Sequence, residues 1–222
     1  MRRLYKLVVT VAFAFLFSCS SNSDHKADHP PARILIVGNS IVRHPPAPGL
    51  EWFGDWGMAA SAPDKDLVYQ YTAKVMTEYD AVVESQNITF WENDFSYDLD
   101  LYTNLGAHQY DLVIVRLGEN VLDTASYAQA LKEMADHFRA DGGKVIITGL
   151  VWENEAKELI HQQVAYENQY RFVPLDQFRF DSQKYSWGLY NNGAVSAHPS
   201  DLGMAYMSDV LYEATVEMLG AD

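Results

Sequence analysis

The chain has 222 residues, of which 48% are hydrophobic and 21% charged, so it is expected to fold around a packed core. It carries 30 acidic and 16 basic side chains, a formal charge of −14. Because phosphate binding needs a basic surface, this charge argues against a nucleic-acid partner. A single cysteine excludes a disulfide within one chain.

The first 18 residues have the pattern of an export signal peptide. Three basic residues precede the apolar stretch "LVVTVAFAFLF", which is too short for a comfortable membrane span. The sequence "LFSCSS" then resembles a bacterial lipoprotein signal, which implies lipidation of Cys19; ordinary cleavage beside an incidental cysteine is the alternative. Residues 19–32 would form a polar tether and residues 33–222 the folded domain. The expected location is outside the cytoplasm, on a bacterial membrane, facing the periplasm or at the cell surface.

Predicted strands and helices alternate along the domain. The sequence predicts strands at 34–37, 82–90, 112–115, 145–150 and 172–175, and helices at 64–79, 124–140, 153–167 and 200–219. Continuous runs of Ile, Val and Leu are typical of strands covered on both faces. The alternation predicts a three-layer α/β/α fold, a flavodoxin-like, doubly wound parallel sheet of about five strands.

Polar residues follow two of the predicted strands. Ser40 comes just after the first, in "ILIVGNSIVRH", and Asn120 ends "DLVIVRLGEN". Ligands of such sheets bind beyond the carboxyl ends of the strands, so both loops are expected at one rim. Taken alone, Ser40 is a turn residue or helix cap; the alternative is a nucleophile at a helix N-terminus.

Acyl transfer by a serine needs a base and donors for the developing oxyanion. His198, in the loop before the last predicted helix, is a candidate base. The side-chain amide of Asn120 and the main-chain amide of Gly57 are candidate donors. Taken alone, each residue has an ordinary loop or packing explanation.

Four stretches, "GNSI", "GMAAS", "RLGEN" and "AHPSDLGM", together resemble in order the four blocks of the SGNH hydrolase (GDSL-type esterase) superfamily. The resemblance spans residues 33–222. It implies that Ser40 is the nucleophile and that His198 is the base. It also implies an oxyanion hole formed by Ser40, Gly57 and Asn120.

One position departs from the family pattern. The family has an aspartate three residues before the histidine, and this chain has Val195. A valine cannot orient an imidazole, so another acceptor serves His198, or the site is a Ser-His dyad, or it is weakened. We expect a carbonyl or carboxylate about 2.6–3.2 Å from the ring nitrogen that faces away from Ser40.

The resemblance and the export signal favour a serine esterase acting on O-acetyl groups of carbohydrates, small or polymeric. The alternatives are a lipid or acyl-thioester hydrolase and a glycan-binding domain without activity. Trp52 and Trp56 flank Gly57 and either shape the pocket or belong to the core. Arg43 and His44 either bind an acidic substrate group or lie on a surface helix.

No cofactor and no metal are expected. The seven histidines are scattered without an H-E-x-x-H pattern, and the glycine-rich nucleotide-binding patterns do not occur. The G-x-S-x-G pattern of other serine hydrolases does not occur at Ser40, because Val42 stands at the second glycine position.

Overall fold

The computed structural model describes residues 30–220. The predicted signal peptide, Cys19 and the first part of the predicted tether lie outside the described residues, so lipid anchoring stays a prediction. The folded unit starts at Pro31 and its first strand at Ala32, beside the expected domain start at residue 33. Within residues 30–220, no helix has the length and apolar character needed to cross a membrane.

Five parallel strands form one sheet in the order β2-β1-β3-β4-β5. They are β1 Ala32–Gly38, β2 Ala81–Asn87, β3 Tyr110–Arg116, β4 Arg139–Thr148 and β5 Arg171–Val173. The two central strands are in register at their carboxyl ends, where Gly38 pairs with Arg116. The loops that carry Ser40 and Asn120 therefore leave the sheet side by side.

Helices cover both faces of the sheet. They are α1 Leu67–Glu78, α2 Thr89–Asn93, α3 Tyr127–Phe138, α4 Glu155–Glu167, α5 Asp176–Arg179, α6 Gly193–Ser196 and α7 Asp201–Leu219. Helices α1 and α7 pack with Ile34 and Ile36 of β1, whereas α3 and α4 pack with Leu35 and Val37. Alternate side chains of one strand thus face two cores, and the predicted three-layer α/β fold is confirmed.

Several predicted boundaries are wrong. The second strand ends at Asn87 rather than at residue 90, because 89–93 is the helix α2. The helix predicted to residue 140 ends at Phe138, and β4 starts directly after it. Arg139 pairs with Tyr110 and Lys144 with Leu112, so the residues between them, including Gly142 at φ 75°, form a bulge.

No helix begins at Ser40. Residues 39–42 form a turn in which the amides of Val42 and Arg43 both donate to the Asn39 carbonyl. The chain then runs extended, and His44 forms an antiparallel bridge with Trp56. Arg43 and His44 therefore do not lie on a surface helix.

Candidate active site

Ser40 and His198 meet at the carboxyl edge of the sheet. Ser40 Oγ lies 2.8 Å from His198 Nε2, although the two residues are 158 positions apart. The turn that presents Ser40 is fixed by Asn39, whose Oδ1 accepts from the Ile41 amide at 3.1 Å. A Cβ at Gly38 would lie 2.6 Å from the Arg116 carbonyl oxygen, so glycine permits this close approach of β1 and β3.

The second ring nitrogen of His198 has a main-chain partner. Nδ1 lies 2.7 Å from the carbonyl oxygen of Ala194, within the expected distance range. A carbonyl only accepts hydrogen bonds, so Nδ1 carries the proton and Nε2 presents its lone pair to Ser40. The indole of Trp152 packs edge-to-face on the ring, with centroids 5.3 Å apart. The imidazole is thus held in one tautomer and one orientation.

Burial lowers the pKa of His198 below its ordinary value of 6.5, and the Ala194 carbonyl offsets part of this shift. The imidazole is therefore neutral near pH 7. A neutral imidazole with its lone pair on a hydroxyl is the form that a general base requires.

The acidic side chains considered as substitutes for the missing aspartate lie elsewhere. Within residues 30–220, none of Glu153, Glu155, Asp181 and Asp201 hydrogen-bonds to His198. Asp201 lies in the first turn of α7 and accepts from the Ser61 amide and hydroxyl. In the same part of the chain, no three His, Cys, Asp or Glu side chains are grouped so that they could hold a metal ion.

Two predicted oxyanion donors have free hydrogen atoms. The Ser40 amide donates to no group among the described residues. Asn120 Nδ2 donates one hydrogen to Glu92 Oε2 at 2.8 Å, which leaves its second hydrogen for a ligand. Both residues line the same cavity as His198.

The structure corrects the expected role of Gly57. Its amide donates to Asp66 Oδ2 at 3.2 Å in a buried position, so it is not free for an oxyanion. A Cβ there would lie 2.6 Å from the Ile41 carbonyl oxygen, which makes Gly57 a packing glycine. Met58 and Ala60 donate to the carbonyls of Ser40 and Gly57. Only Ala59, at φ 73°, keeps an amide in this segment without a partner among residues 30–220.

Neither Trp52 nor Trp56 is among the described residues that line the cavity. Trp52 is buried with Met58, Ala59 and Val195, and its indole donates to the His44 carbonyl at 3.1 Å. The two indoles pack edge-to-face at 5.5 Å. The two indoles pack against the segment that follows Ser40. The structure therefore supports a core role for them rather than a role in shaping the pocket.

Arg43 and His44 do line the cavity. Arg43 holds both carboxylate oxygens of Asp55 through Nε at 2.9 Å and Nη2 at 2.7 Å. Its charge is therefore already paired, which weakens the prediction that it binds an acidic substrate group. His44 Nδ1 lies 2.6 Å from the Pro45 carbonyl oxygen.

The cavity around Ser40 has a volume of about 820 Å³ and extends towards α2 and residues 97–104. Its wall beyond the predicted residues carries carboxamides, hydroxyls and aromatic rings: Gln86, Asn87, Asn93, Asn104, Thr89, Thr103, Phe90, Tyr97 and Tyr102. Sequence reasoning missed this wall because it assigned residues 88–90 to a strand.

Two buried carboxylates beneath the site were also missed. Glu119 accepts from Arg116 Nη1 at 2.8 Å and from Asn39 Nδ2 at 2.8 Å, which ties the residue before Ser40 to the residue before Asn120. Burial acts to raise the pKa of Glu119, but Arg116 and the hydrogen bonds outweigh it and lower that pKa. Glu92 is the second carboxylate. The charged pair Arg116 and Glu119 in "RLGEN", at the end of a buried strand, was the available signal for Glu119.

No protein-family model and no curated protein sequence matches the chain. Solved structures do. The crystal structure of TesA matches with a TM-score of 0.59 and 20% identity, over 84% of this chain and 99% of TesA. The chain has the SGNH hydrolase fold.

Two carbohydrate esterases share the SGNH fold with this chain. One is a two-domain esterase, CEX, active on acetylated mannans, with a TM-score of 0.55, 16% identity and coverage of 84% of this chain and 50% of CEX. The other is a family two carbohydrate esterase from Clostridium thermocellum, with a TM-score of 0.55, 15% identity and coverage of 87% and 66%. At these identities the likeness establishes the fold alone.

Proposed function

We propose that the protein is a serine esterase. The supporting observation is the chain of contacts from Ser40 Oγ through both nitrogens of His198 to the Ala194 carbonyl. Ser40 Oγ attacks the ester carbonyl carbon while His198 Nε2 takes its proton. The tetrahedral intermediate then expels the alcohol, which receives that proton, and a water releases the acyl group by the same steps.

The negative oxygen of the intermediate is held by the Ser40 amide and the second hydrogen of Asn120 Nδ2. Gly57 itself has no part in this assignment because its amide is bound to Asp66.

The Ala194 carbonyl takes the orienting role that an aspartate has in a full triad. It carries only a partial negative charge, so it stabilises the imidazolium less than a carboxylate does. It nevertheless fixes the tautomer, and the wrong tautomer is what costs about 10⁴ in turnover when the aspartate of a serine protease is replaced by asparagine.

We further propose that the substrate is an O-acetyl ester on a carbohydrate. Carboxamides such as Asn87 and Asn104 can both donate to and accept from sugar hydroxyls, and they face the cavity. Phe90 is 69% exposed and stacks on Tyr97 at 5.7 Å, which offers an aromatic surface to a sugar ring. The activity of CEX on acetylated mannans agrees with this choice.

Two other functions remain as alternatives. Leu50, Met58 and Leu101 also line the cavity, which favours a lipid or acyl-thioester hydrolase. A glycan-binding domain without activity would keep the cavity and leave Ser40 unreactive.

A fluorophosphonate probe and an acetate-release assay on acetylated mannan and xylan test the proposal. We expect labelling of the wild type, none in Ser40→Ala, and an acetate-release rate lower by at least about 10³-fold in that variant. Ser126→Ala is the matched control, because Ser126 is exposed and lies outside the cavity around Ser40.

An unlabelled wild type would support the binding domain instead. Faster hydrolysis of long-chain than of acetyl nitrophenyl esters would replace the carbohydrate substrate with a lipid or acyl thioester.

A further inference from the structure

The carboxylate of Glu92 accepts several hydrogen bonds from the segment that carries Asn120. Glu92 lies on α2 and is only 1% exposed. Its Oε1 accepts from the amides of Gly118 at 2.7 Å and Asn120 at 3.0 Å, and its Oε2 accepts from Asn120 Nδ2 at 2.8 Å. Asn39 Nδ2 lies 3.4 Å from Oε1. Main chain and side chain of the same loop are thus held by one group.

We propose that Glu92 is a positioning residue of the oxyanion hole, acting through Asn120; this inference rests on the proposed esterase function. An asparagine carboxamide can rotate about its Cβ–Cγ bond, so that its oxygen and its NH₂ group swap positions. A carboxylate oxygen only accepts, so Glu92 Oε2 selects the orientation with Nδ2 towards it. The second hydrogen of the same NH₂ group then has one fixed direction.

The loop needs such support because its backbone is unusual. Gly118 has φ 123°, a conformation that other residues rarely adopt. A Cβ there would lie 2.7 Å from Nε2 of the buried His161, so the loop rests directly on that ring. Glu92 holds it from the other side through the two amides. Preorganised donors of this kind stabilise developing charge without reorganising during the reaction.

Glu92 also links the oxyanion donor to the cavity wall. Thr89, Phe90 and Asn93 of the same short helix line the cavity beside Ser40. The helix that faces the bound substrate is therefore the helix that orients Asn120. Glu92 accepts from N–H groups of Gly118, Asn120 and Asn39, and among residues 30–220 no basic side chain hydrogen-bonds to it. This environment fits the orienting role better than a structural ion pair.

Glu92→Gln tests the proposal with little change in shape. One of the two acceptor oxygens becomes an NH₂ group, which cannot accept from Asn120 Nδ2 or from the two amides. We expect kcat for nitrophenyl acetate to fall about 10²-fold, while KM stays within about twofold, because removing an oxyanion donor costs about 10²–10³ in kcat. Asp136→Asn is the control. Asp136 binds Lys132, Arg139 and Tyr170 at the opposite edge of the sheet, and this variant should keep the wild-type kcat.

A double-mutant cycle shows whether Glu92 acts through Asn120. In an Asn120→Ala background, Glu92→Gln should lower kcat by less than about threefold further, since the group that it orients is gone. Fully additive losses, or an unchanged kcat in Glu92→Gln alone, would overturn the proposal.

A spectroscopic readout separates this inference from the proposed activity. The side-chain signals of Asn120 in ¹⁵N spectra can be assigned by their loss in Asn120→Ala. In the wild type their chemical shifts should differ from those of a free carboxamide. In Glu92→Gln the chemical shifts should move back towards the free values. If Glu92→Gln does not fold, Glu92→Asp takes its place. Chemical shifts of a free carboxamide in the wild type would contradict the proposal, whether or not the protein hydrolyses an ester.

Discussion

Two features of His198 act on its pKa in opposite directions. Burial lowers its pKa, and a carbonyl at Nδ1 raises it less than the full charge of a carboxylate would. The imidazole is consequently a weaker base than in a triad, but it stays neutral to lower pH. Its partner, the Ala194 carbonyl, comes from the short helix α6, four residues before the histidine.

Val195→Asp would place an aspartate at the family position, yet we expect no gain in rate, because His198 Nδ1 already has a partner. Val195 has no exposed surface and packs among Trp52, Met58 and Ala59. A carboxylate there would be buried without a counter-charge, so the free energy of unfolding should fall by about 3–5 kcal/mol. Urea unfolding and kcat for a nitrophenyl ester measure both effects.

Val195→Asn is the control for that substitution, since it has the same shape without the charge and should cost less stability. A tenfold higher kcat in Val195→Asp would mean that the carbonyl serves His198 poorly.

Ser40, Asn120 and His198 could be predicted because each follows or precedes a recognisable element, and the order of elements brings them to one edge. The role of Gly57 could not be predicted, because tertiary packing places Asp66 beside its amide. Glu92 was out of reach for the same reason. It lies in the helix α2, which the sequence assigned in part to a strand, and its donors Gly118 and Asn120 lie 26 residues or more further along the chain.

Helix α2 shows where element prediction failed. The residues Ile88, Thr89 and Phe90 have high strand propensity, which supported an extended strand. The structure ends β2 at Asn87, whose Oδ1 accepts from the Thr89 amide at 2.8 Å and turns the chain into a helix. The side-chain hydrogen bond and the burial of Trp91 and Glu92 outweigh the strand propensity of these residues.

One buried histidine joins three elements on the face of the sheet that α3 and α4 cover. His161 of α4 accepts from the Tyr127 hydroxyl of α3 at 2.6 Å, and its Nδ1 donates to the Thr148 carbonyl of β4 at 2.7 Å. Burial lowers the pKa of His161 to about 4. The ring is therefore neutral when the chain is folded near pH 7.

Acidification should weaken the packing of these elements. Between pH 6.5 and about 4, the unfolded chain takes up a proton at His161 that the folded chain excludes. The free energy of unfolding therefore falls as the pH falls through this window, by up to about 3 kcal/mol from this group. Urea unfolding at both ends of the window measures the drop.

His161→Gln, which does not titrate, should be less stable near pH 7 and should show a smaller drop on acidification. An equal drop in both proteins would assign the pH dependence to other groups.

The proposed base, His198, lies on a segment with little regular structure. Between β5 and α7 the chain forms only the short helices α5 and α6 and one 3-10 turn, yet this segment carries Ala194 and His198. The central strands, in contrast, are buried on both faces. Segments with little regular structure open at lower cost than core strands.

We therefore expect ester hydrolysis to be lost at a lower urea concentration than the helical and strand signal in far-ultraviolet circular dichroism. Activity should return fully on dilution from that range. Coincident midpoints would mean that the 176–200 segment opens only with the whole domain.

The separation of 158 residues between Ser40 and His198 also sets an order of events in time. A ribosome that adds about 5–20 residues per second needs roughly 8–30 s to travel from the serine codon to the histidine codon. During that interval the nascent chain holds a nucleophile without a base. The proposed nucleophile thus has no base until His198 is made and folded against it, and a chain interrupted before that point should hydrolyse no ester.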